Sequence, residues 1–156
     1  MTSLDLRHTL ATVAYRAAKV LRDTPIGFSD FRPGPDSRSS GEILAHMGDL
    51  FDWALSQAKG TPAWHNAPLQ SWSADTDRFF AALTALDDFL ATGTPLADPP
   101  EKIFQGAIAD ALTHVGQIAM MRRLAGAKIR GENYHKANIA TGLTSAAQPA
   151  PTFEFD

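Results

Sequence analysis

The sequence of 156 residues contains no cysteine. Disulfide bonds, thiolate metal ligands and a catalytic thiol supplied by the chain itself are therefore excluded. No stretch approaches the roughly 18 uninterrupted apolar residues of a membrane-spanning helix. The first 20 residues also lack the layout of a signal peptide, so the sequence predicts a cytoplasmic protein without a membrane partner.

Positive charge is also in short supply, with 14 Lys and Arg against 17 Asp and Glu, for a net charge of −3. Domains that bind nucleic acid by neutralising phosphates are usually basic, so no nucleic-acid partner is expected. The 44% hydrophobic and 20% charged residues are ordinary for a globular protein. The length fits a single domain over 1–156.

Four segments carry apolar residues at helical spacing, and none alternates convincingly as a strand would. Ser39 and Glu42 have the spacing of a capping box at the start of the second segment. Gly60 and Gly126 are placed to end the second and fourth segments. The predicted helices cover 4–23, about 39–58, 73–91 and 101–125.

Each predicted helix has one apolar stripe, and four such stripes can be buried only against one another. The sequence therefore predicts an all-α fold, a four-helix bundle over about 4–126. The remainder, 127–156, is predicted to be an irregular C-terminal extension with one helical turn near 135–141. On the last helix, a wheel at about 100° per residue predicts a core face made of Phe104, Ile108, Ala111, Leu112, Val115 and Ala119.

Three polar side chains lie at the margins of these apolar faces. Asp110 and His114 are four residues apart on the last helix and share one of its faces, while His46 borders the apolar arc of the second helix. Metal sites in bundles are built from side chains that project inward from facing helices. Two imidazoles and a carboxylate suit Zn²⁺ and non-haem Fe²⁺. The same spacing also fits a surface ion pair and a hydrogen-bonded core histidine, so the pattern alone leaves all three interpretations open.

Three stretches, "SSGEILAHMGDLFDWAL", "DALTHVGQIAMMRRLAG" and "GENYHKANI", resemble the DinB-like (DinB/YfiT) family. The H-x-G-Q sequence at 114–117 is the most specific part, and the resemblance covers about 4–142. It implies a four-helix bundle that holds a divalent metal through three side chains. These match His46 on the second helix, with Asp110 and His114 on the last.

The family usually has a histidine where this chain has Asp110. A carboxylate lowers the net charge of the bound site, which should raise the pKa of a metal-bound water relative to a three-histidine site. It also favours somewhat harder ions. The resemblance does not distinguish Zn, Ni, Fe and Mn as the metal.

The resemblance further implies a metal-dependent transferase that uses a low-molecular-weight thiol, since similar proteins include such transferases and a mycothiol-dependent isomerase. The substrate would be a small molecule, and the reacting group would be a thiolate or a water on the metal. One alternative is a metal-dependent hydrolase with Asp49 as its base. Another is a non-catalytic stress or binding protein with a degenerate metal site. A homodimer is expected in each case.

Several other residues are candidates for substrate contacts. Arg122 and Arg123 belong to a basic cluster at the end of the last helix, which suits either the helix dipole or the rim of an anionic substrate site. Tyr134 lies in the following segment, which is a candidate lid. The three tryptophans are predicted to be core or loop anchors, one of which could wall a pocket. They are Trp53, Trp64 and Trp72.

Overall fold

The computed structural model describes residues 1–155, apart from the side chain of Leu4; Asp156, the end of the predicted extension, lies outside this range. The chain is all-α, as predicted. A 3₁₀ turn at Phe28–Asp30 separates the first two helices, and a π-helical segment, Phe104–Ile108, joins the last two. The α-helices are α1 (Ser3–Leu21), α2 (Ser40–Ala58), α3 (Trp72–Ala91), α4 (Pro100–Ile103) and α5 (Ala109–Leu124).

The helix ends follow the chemistry predicted for them. At the start of α2, the Ser39 hydroxyl accepts from the Glu42 N–H at 3.1 Å, and the Glu42 carboxylate accepts from the Ser39 N–H at 2.7 Å. Beyond α2 and α5 the chain turns at Gly60 and Gly126, whose φ angles are +75° and +77°. These left-handed conformations suit glycine and confirm both predicted helix ends.

The apolar stripes meet in one hydrophobic core. Helices α1 and α2 each pack against α3 and α5, so the four predicted apolar faces share an interior. The largest side chains there are fully withdrawn from solvent, among them Leu10, Phe51, Phe79 and Ile108. None of the helices within 1–155 is long and apolar enough to cross a membrane.

The predicted fourth helix is continuous but not uniform, because α4, the π segment and α5 run on without a break. A π turn holds more residues than an α turn and shifts the phase of the helix. Ile103 and Ala107 are buried before and within it, whereas Phe104, which the uniform wheel placed in the core, is only partly buried. The prediction for Phe104 was therefore wrong in degree, since it assumed one constant period. Leu112 and Ala119 of the predicted core face are also only partly buried, whereas Ile108, Ala111 and Val115 are buried as predicted.

The C-terminal extension is irregular, as predicted, and packs along α1. Two strands of two residues, β1 (Gly131–Glu132) and β2 (Glu154–Phe155), pair in antiparallel fashion. This pair was not predicted, since strands of two residues are too short to show an alternating pattern. The helical turn predicted near 135–141 was wrong, because that segment contains only isolated hydrogen-bonded turns and bends.

Candidate metal centre

His46, Asp110 and His114, called the triad below, converge from α2 and α5. Each offers one ligand atom, and these three atoms lie within 4.8 Å of one another. One carboxylate oxygen of Asp110 lies 3.5 Å from His46 Nε2, and the other lies 3.5 Å from His114 Nε2. The two imidazole rings are nearly perpendicular, with centroids 5.0 Å apart. The structure thus brings together all three predicted ligands.

Each carboxylate oxygen of Asp110 lies about as far from its imidazole nitrogen as two ligands of one ion lie from each other, while the three ligand atoms together span up to 4.8 Å. A direct charge-assisted N–H···O bond would be about 2.7–2.9 Å long, shorter than both contacts of Asp110. Nitrogen and oxygen ligands at about 2.0–2.2 Å from a tetrahedral ion lie about 3.3–3.6 Å from each other. The triad could therefore hold a metal ion, and its donors, two nitrogens and a carboxylate oxygen, are a set that divalent transition metals accept.

Burial in the triad is graded. The side chains of His114, His46 and Asp110 are 10%, 20% and 45% exposed, so the imidazoles are sheltered while the carboxylate faces solvent. Burial lowers the pKa of His46, and the charges of Arg38 and His114 lower it further against the opposing effect of Asp110. A lowered pKa keeps His46 neutral near pH 7, the state that a metal requires of it.

Gln117 fixes the orientation of His114. The amide oxygen of Gln117 lies 2.8 Å from His114 Nδ1, one turn further along α5. When Nδ1–H donates to this oxygen, the lone pair is left on Nε2, the nitrogen that faces Asp110. Metal-binding histidines are commonly oriented by such a hydrogen bond on the other ring nitrogen. The H-x-G-Q sequence therefore has a physical role in the triad.

An open cavity of about 520 Å³ adjoins His114. Its lining is mainly apolar and comes from α5, the start of α2 and the loop before it. Arg38 lies in that loop and, within residues 1–155, is the one lining residue of fixed charge. Arg38 was not predicted as a site residue, because nothing in a loop sequence shows which helix the loop will approach. The lining residues are Pro33, Ser37, Arg38, Ile43, His114, Gln117, Met120, Met121 and Leu124.

A second cavity, of about 460 Å³, lies on the Asp110 side of the triad. The π segment supplies two of its lining residues, Gln105 and Gly106, and α2 supplies Trp53. A Cβ at Gly106 would lie 3.4 Å from the Trp53 ring, so a small residue suits this approach. Trp53 is thus the tryptophan that walls a pocket, while the Trp64 ring centroid lies 5.5 Å from that of His46.

Asp49, the candidate base, is engaged elsewhere. Its buried carboxylate accepts from Arg78 Nη2 at 2.9 Å and from the Ala67 N–H at 3.2 Å. Arg78 also donates to Asp52 and to the Ala45 carbonyl, which ties α3 to α2. Asp49 is not among the residues whose ligand atoms cluster in the triad. Its contacts are those of a structural carboxylate.

The basic cluster at the end of α5 does not line the cavity beside His114. Arg122 is buried, and its guanidinium donates to the carbonyls of Val20, Arg22 and Asp23 at the end of α1. Arg123 is exposed to solvent. These positions favour the structural interpretation of the cluster over a substrate rim.

Tyr134 and Trp72 both act as anchors. The Tyr134 ring lies 3.9 Å from the Arg16 guanidinium carbon and meets Tyr15 edge-on, so it packs on α1. Trp72 Nε1 donates to the Leu21 carbonyl at 3.1 Å and fastens the start of α3 to the end of α1. The anchor role predicted for Trp72 is confirmed. These contacts of Tyr134 are with α1 and not with the triad, so they do not support the predicted lid role.

Some residues of the site were predicted from the sequence, and others are identified only in the folded structure. The triad was predicted from spacing and resemblance, while Arg38 and the two cavities follow from the packing of loops and helices. A comparison of the chain with protein-family models, curated proteins and solved structures finds no match. Membership of the DinB-like family accordingly stays a prediction.

Proposed function

We propose that this chain is a DinB-like four-helix-bundle protein that binds one divalent metal ion through His46, Asp110 and His114. The observation that carries the proposal is the convergence of three ligand atoms from two helices within 4.8 Å. The hydrogen bond that His114 Nδ1–H donates to the Gln117 amide oxygen supports it, because it directs the free lone pair of the imidazole toward Asp110.

The proposed activity is transfer involving a low-molecular-weight thiol and a small-molecule substrate. A bound ion would supply Lewis acidity and lower the pKa of a coordinated thiol or water. The chain has no thiol of its own, so the thiol would arrive as a co-substrate. Asp49 is held by Arg78, which leaves hydrolysis without its predicted base and favours transfer. A homodimer and a cytoplasmic location stay predictions.

Metal binding is tested by titrating the metal-free protein with Zn²⁺, Ni²⁺, Mn²⁺ and, without oxygen, Fe²⁺, while stoichiometry and Kd are measured by calorimetry. We expect one ion per chain for at least one of these metals. His46→Ala and His114→Ala each remove a ligand and should weaken metal binding at least about tenfold. Losing only a hydrogen bond that supports a ligand already weakens binding about 10–100-fold. His135→Ala is the matched control, because His135 is exposed and outside the triad.

Two further measurements distinguish a metal-dependent transferase from a non-catalytic protein. Saturating metal at about 100 Kd should raise the free energy of unfolding by about 2.7 kcal/mol, because the ion binds only the native state. With metal bound, consumption of a thiol by a small electrophile should be faster for the wild type than for His114→Ala. Equal, near-zero stoichiometry in the wild type and His114→Ala would overturn the proposal and favour the non-catalytic alternative.

Gln117→Leu should weaken metal binding about 10–100-fold, the range found when a hydrogen bond that supports a metal ligand is removed. Gln117 is exposed, so the substitution should leave the fold intact. The comparison is made by calorimetry with the metal that binds the wild type most tightly, and circular dichroism checks the helix content. An unchanged Kd would show that the Gln117 amide does not orient His114 for metal.

A further inference from the structure

The cavity beside His114 has an unusual combination of an apolar lining and one unengaged cation. Met120 and Leu124 line it and are 56% and 59% exposed, so apolar surface is left facing water. Each such side chain would gain free energy if a ligand covered it. The volume of about 520 Å³ lies within the range of pockets that take small molecules.

Arg38 has no hydrogen-bond or ion-pair partner in the described part of the chain. Arg32, in the same loop, differs sharply, since it donates to the Ser37 carbonyl and to the Glu42 carboxylate. The fold therefore provides hydrogen-bond acceptors for the Arg32 guanidinium. It leaves the Arg38 guanidinium at the cavity with its five N–H donors available.

We infer that the cavity binds an amphipathic small molecule, whose carboxylate pairs with Arg38 and whose apolar body lies on Met120, Met121 and Leu124. A guanidinium matches a carboxylate with two parallel hydrogen bonds, which sets the orientation of the ligand. His114 lines the same cavity, so the bound molecule also touches the triad. The inference names a substrate class and rests on the proposed function for its catalytic meaning, though not for binding itself.

The charge pattern around the triad supports this orientation. Asp110 lines the second cavity and not this one, so none of the described residues that line the cavity beside His114 carries a carboxylate to repel an anion. Arg38 and His114 line the same cavity, which places the positive charge near the triad. An anionic group is therefore favoured at the Arg38 end of this cavity.

The test uses metal-free protein in the presence of a chelator, with octanoate as the probe and octanamide as its neutral isostere. The methyl groups of methionine are labelled with ¹³C and followed by NMR. The chain has 4 methionines, of which Met120 and Met121 line the cavity while Met47 is in the core. Octanoate should shift the signals of Met120 and Met121 and leave those of Met47 and Met1 in place.

Octanoate should bind at least about tenfold more tightly than octanamide, the ratio expected from one charge-assisted hydrogen bond. Arg38→Gln should abolish that preference, whereas Arg123→Gln, an exposed arginine outside the lining, should preserve it. Equal affinities for both probes, an unaltered preference in Arg38→Gln, or shifts confined to Met47 would overturn the inference. Since no metal is present, these results do not depend on whether the triad binds one.

Discussion

Glu132→Ala is expected to lower the free energy of unfolding by about 3–5 kcal/mol, the range for removing one partner of a buried ion pair. The Glu132 side chain is 0% exposed and accepts from Lys19 Nζ at 2.8 Å and from the Tyr15 hydroxyl at 2.5 Å. Lys19 is only 4% exposed, so its charge would lose its main buried counterion. Glu154, at the solvent edge, would be its remaining partner.

Urea unfolding followed by circular dichroism at pH 7 measures the effect. Glu154→Ala is the matched control, because Glu154 pairs with the same Lys19 nitrogen at 2.8 Å but is 21% exposed, and it should cost far less. The double variant Lys19→Met, Glu132→Leu should recover much of the loss, because it leaves no unpaired buried charge. Equal losses in Glu132→Ala and Glu154→Ala would contradict the assignment of Glu132 as the main partner.

This network also predicts a pH dependence. Burial disfavours the charged form of Lys19, but hydrogen bonds to Glu132 and Glu154 outweigh it and raise the pKa of the ammonium group. A raised folded-state pKa contributes stability that is complete below the pKa of free lysine, about 10.4, and is lost as the pH rises through the folded value. In Lys19→Met this alkaline loss should be smaller than in the wild type.

Arg122→Ala is expected to cost about 2–4 kcal/mol of unfolding free energy, because each buried carbonyl left without a donor costs about 1–3 kcal/mol. The Arg122 guanidinium donates to the carbonyls of Val20, Arg22 and Asp23, and its Nε donates to the Ala127 carbonyl at 3.0 Å. Asp23 has a left-handed φ of 52°, so the same guanidinium also holds a turn that few side chains adopt readily.

The neighbouring Arg123 provides the control. Arg123→Ala removes the same side chain from an exposed position and should change stability by no more than about 0.5 kcal/mol. Both variants are compared by urea unfolding, and Arg122→Lys tests whether charge alone suffices. A lysine cannot reach four carbonyls with one ammonium, so Arg122→Lys should recover only part of the loss. Equal effects at 122 and 123 would show that the four hydrogen bonds contribute nothing.

The regular parts of the fold were predictable because their signals are local. Apolar spacing located the four helical segments to within two residues, and the pairing of Ser39 with Glu42 located the start of α2. The positions of Asp110 and His114 were predictable for the same reason, since an interval of four residues fixes a shared helix face. His46 required the resemblance, because a single histidine beside an apolar arc carries no spacing information.

The remaining features depend on contacts between distant parts of the chain. Arg122 carries the same charge as Arg123 in the sequence, and only the approach of the end of α1 makes one structural and leaves the other exposed. Arg38 reaches the cavity because its loop folds toward α5, which no local pattern reports. The pairing of β1 with β2 joins residues more than twenty positions apart, so propensity over four residues could not have shown it.

Because of the π segment, a chain could keep the three proposed ligand residues and still lose the arrangement that brings them together. One extra residue in a helix rotates everything beyond it by about 100° relative to what comes before. A deletion within Phe104–Ile108 would turn Asp110 and His114 away from His46 while leaving all three letters in the sequence. In related sequences with such a deletion, the presence of His46, Asp110 and His114 would no longer indicate that the proposed metal site is formed. The number of residues between 103 and 110 would be the better indicator.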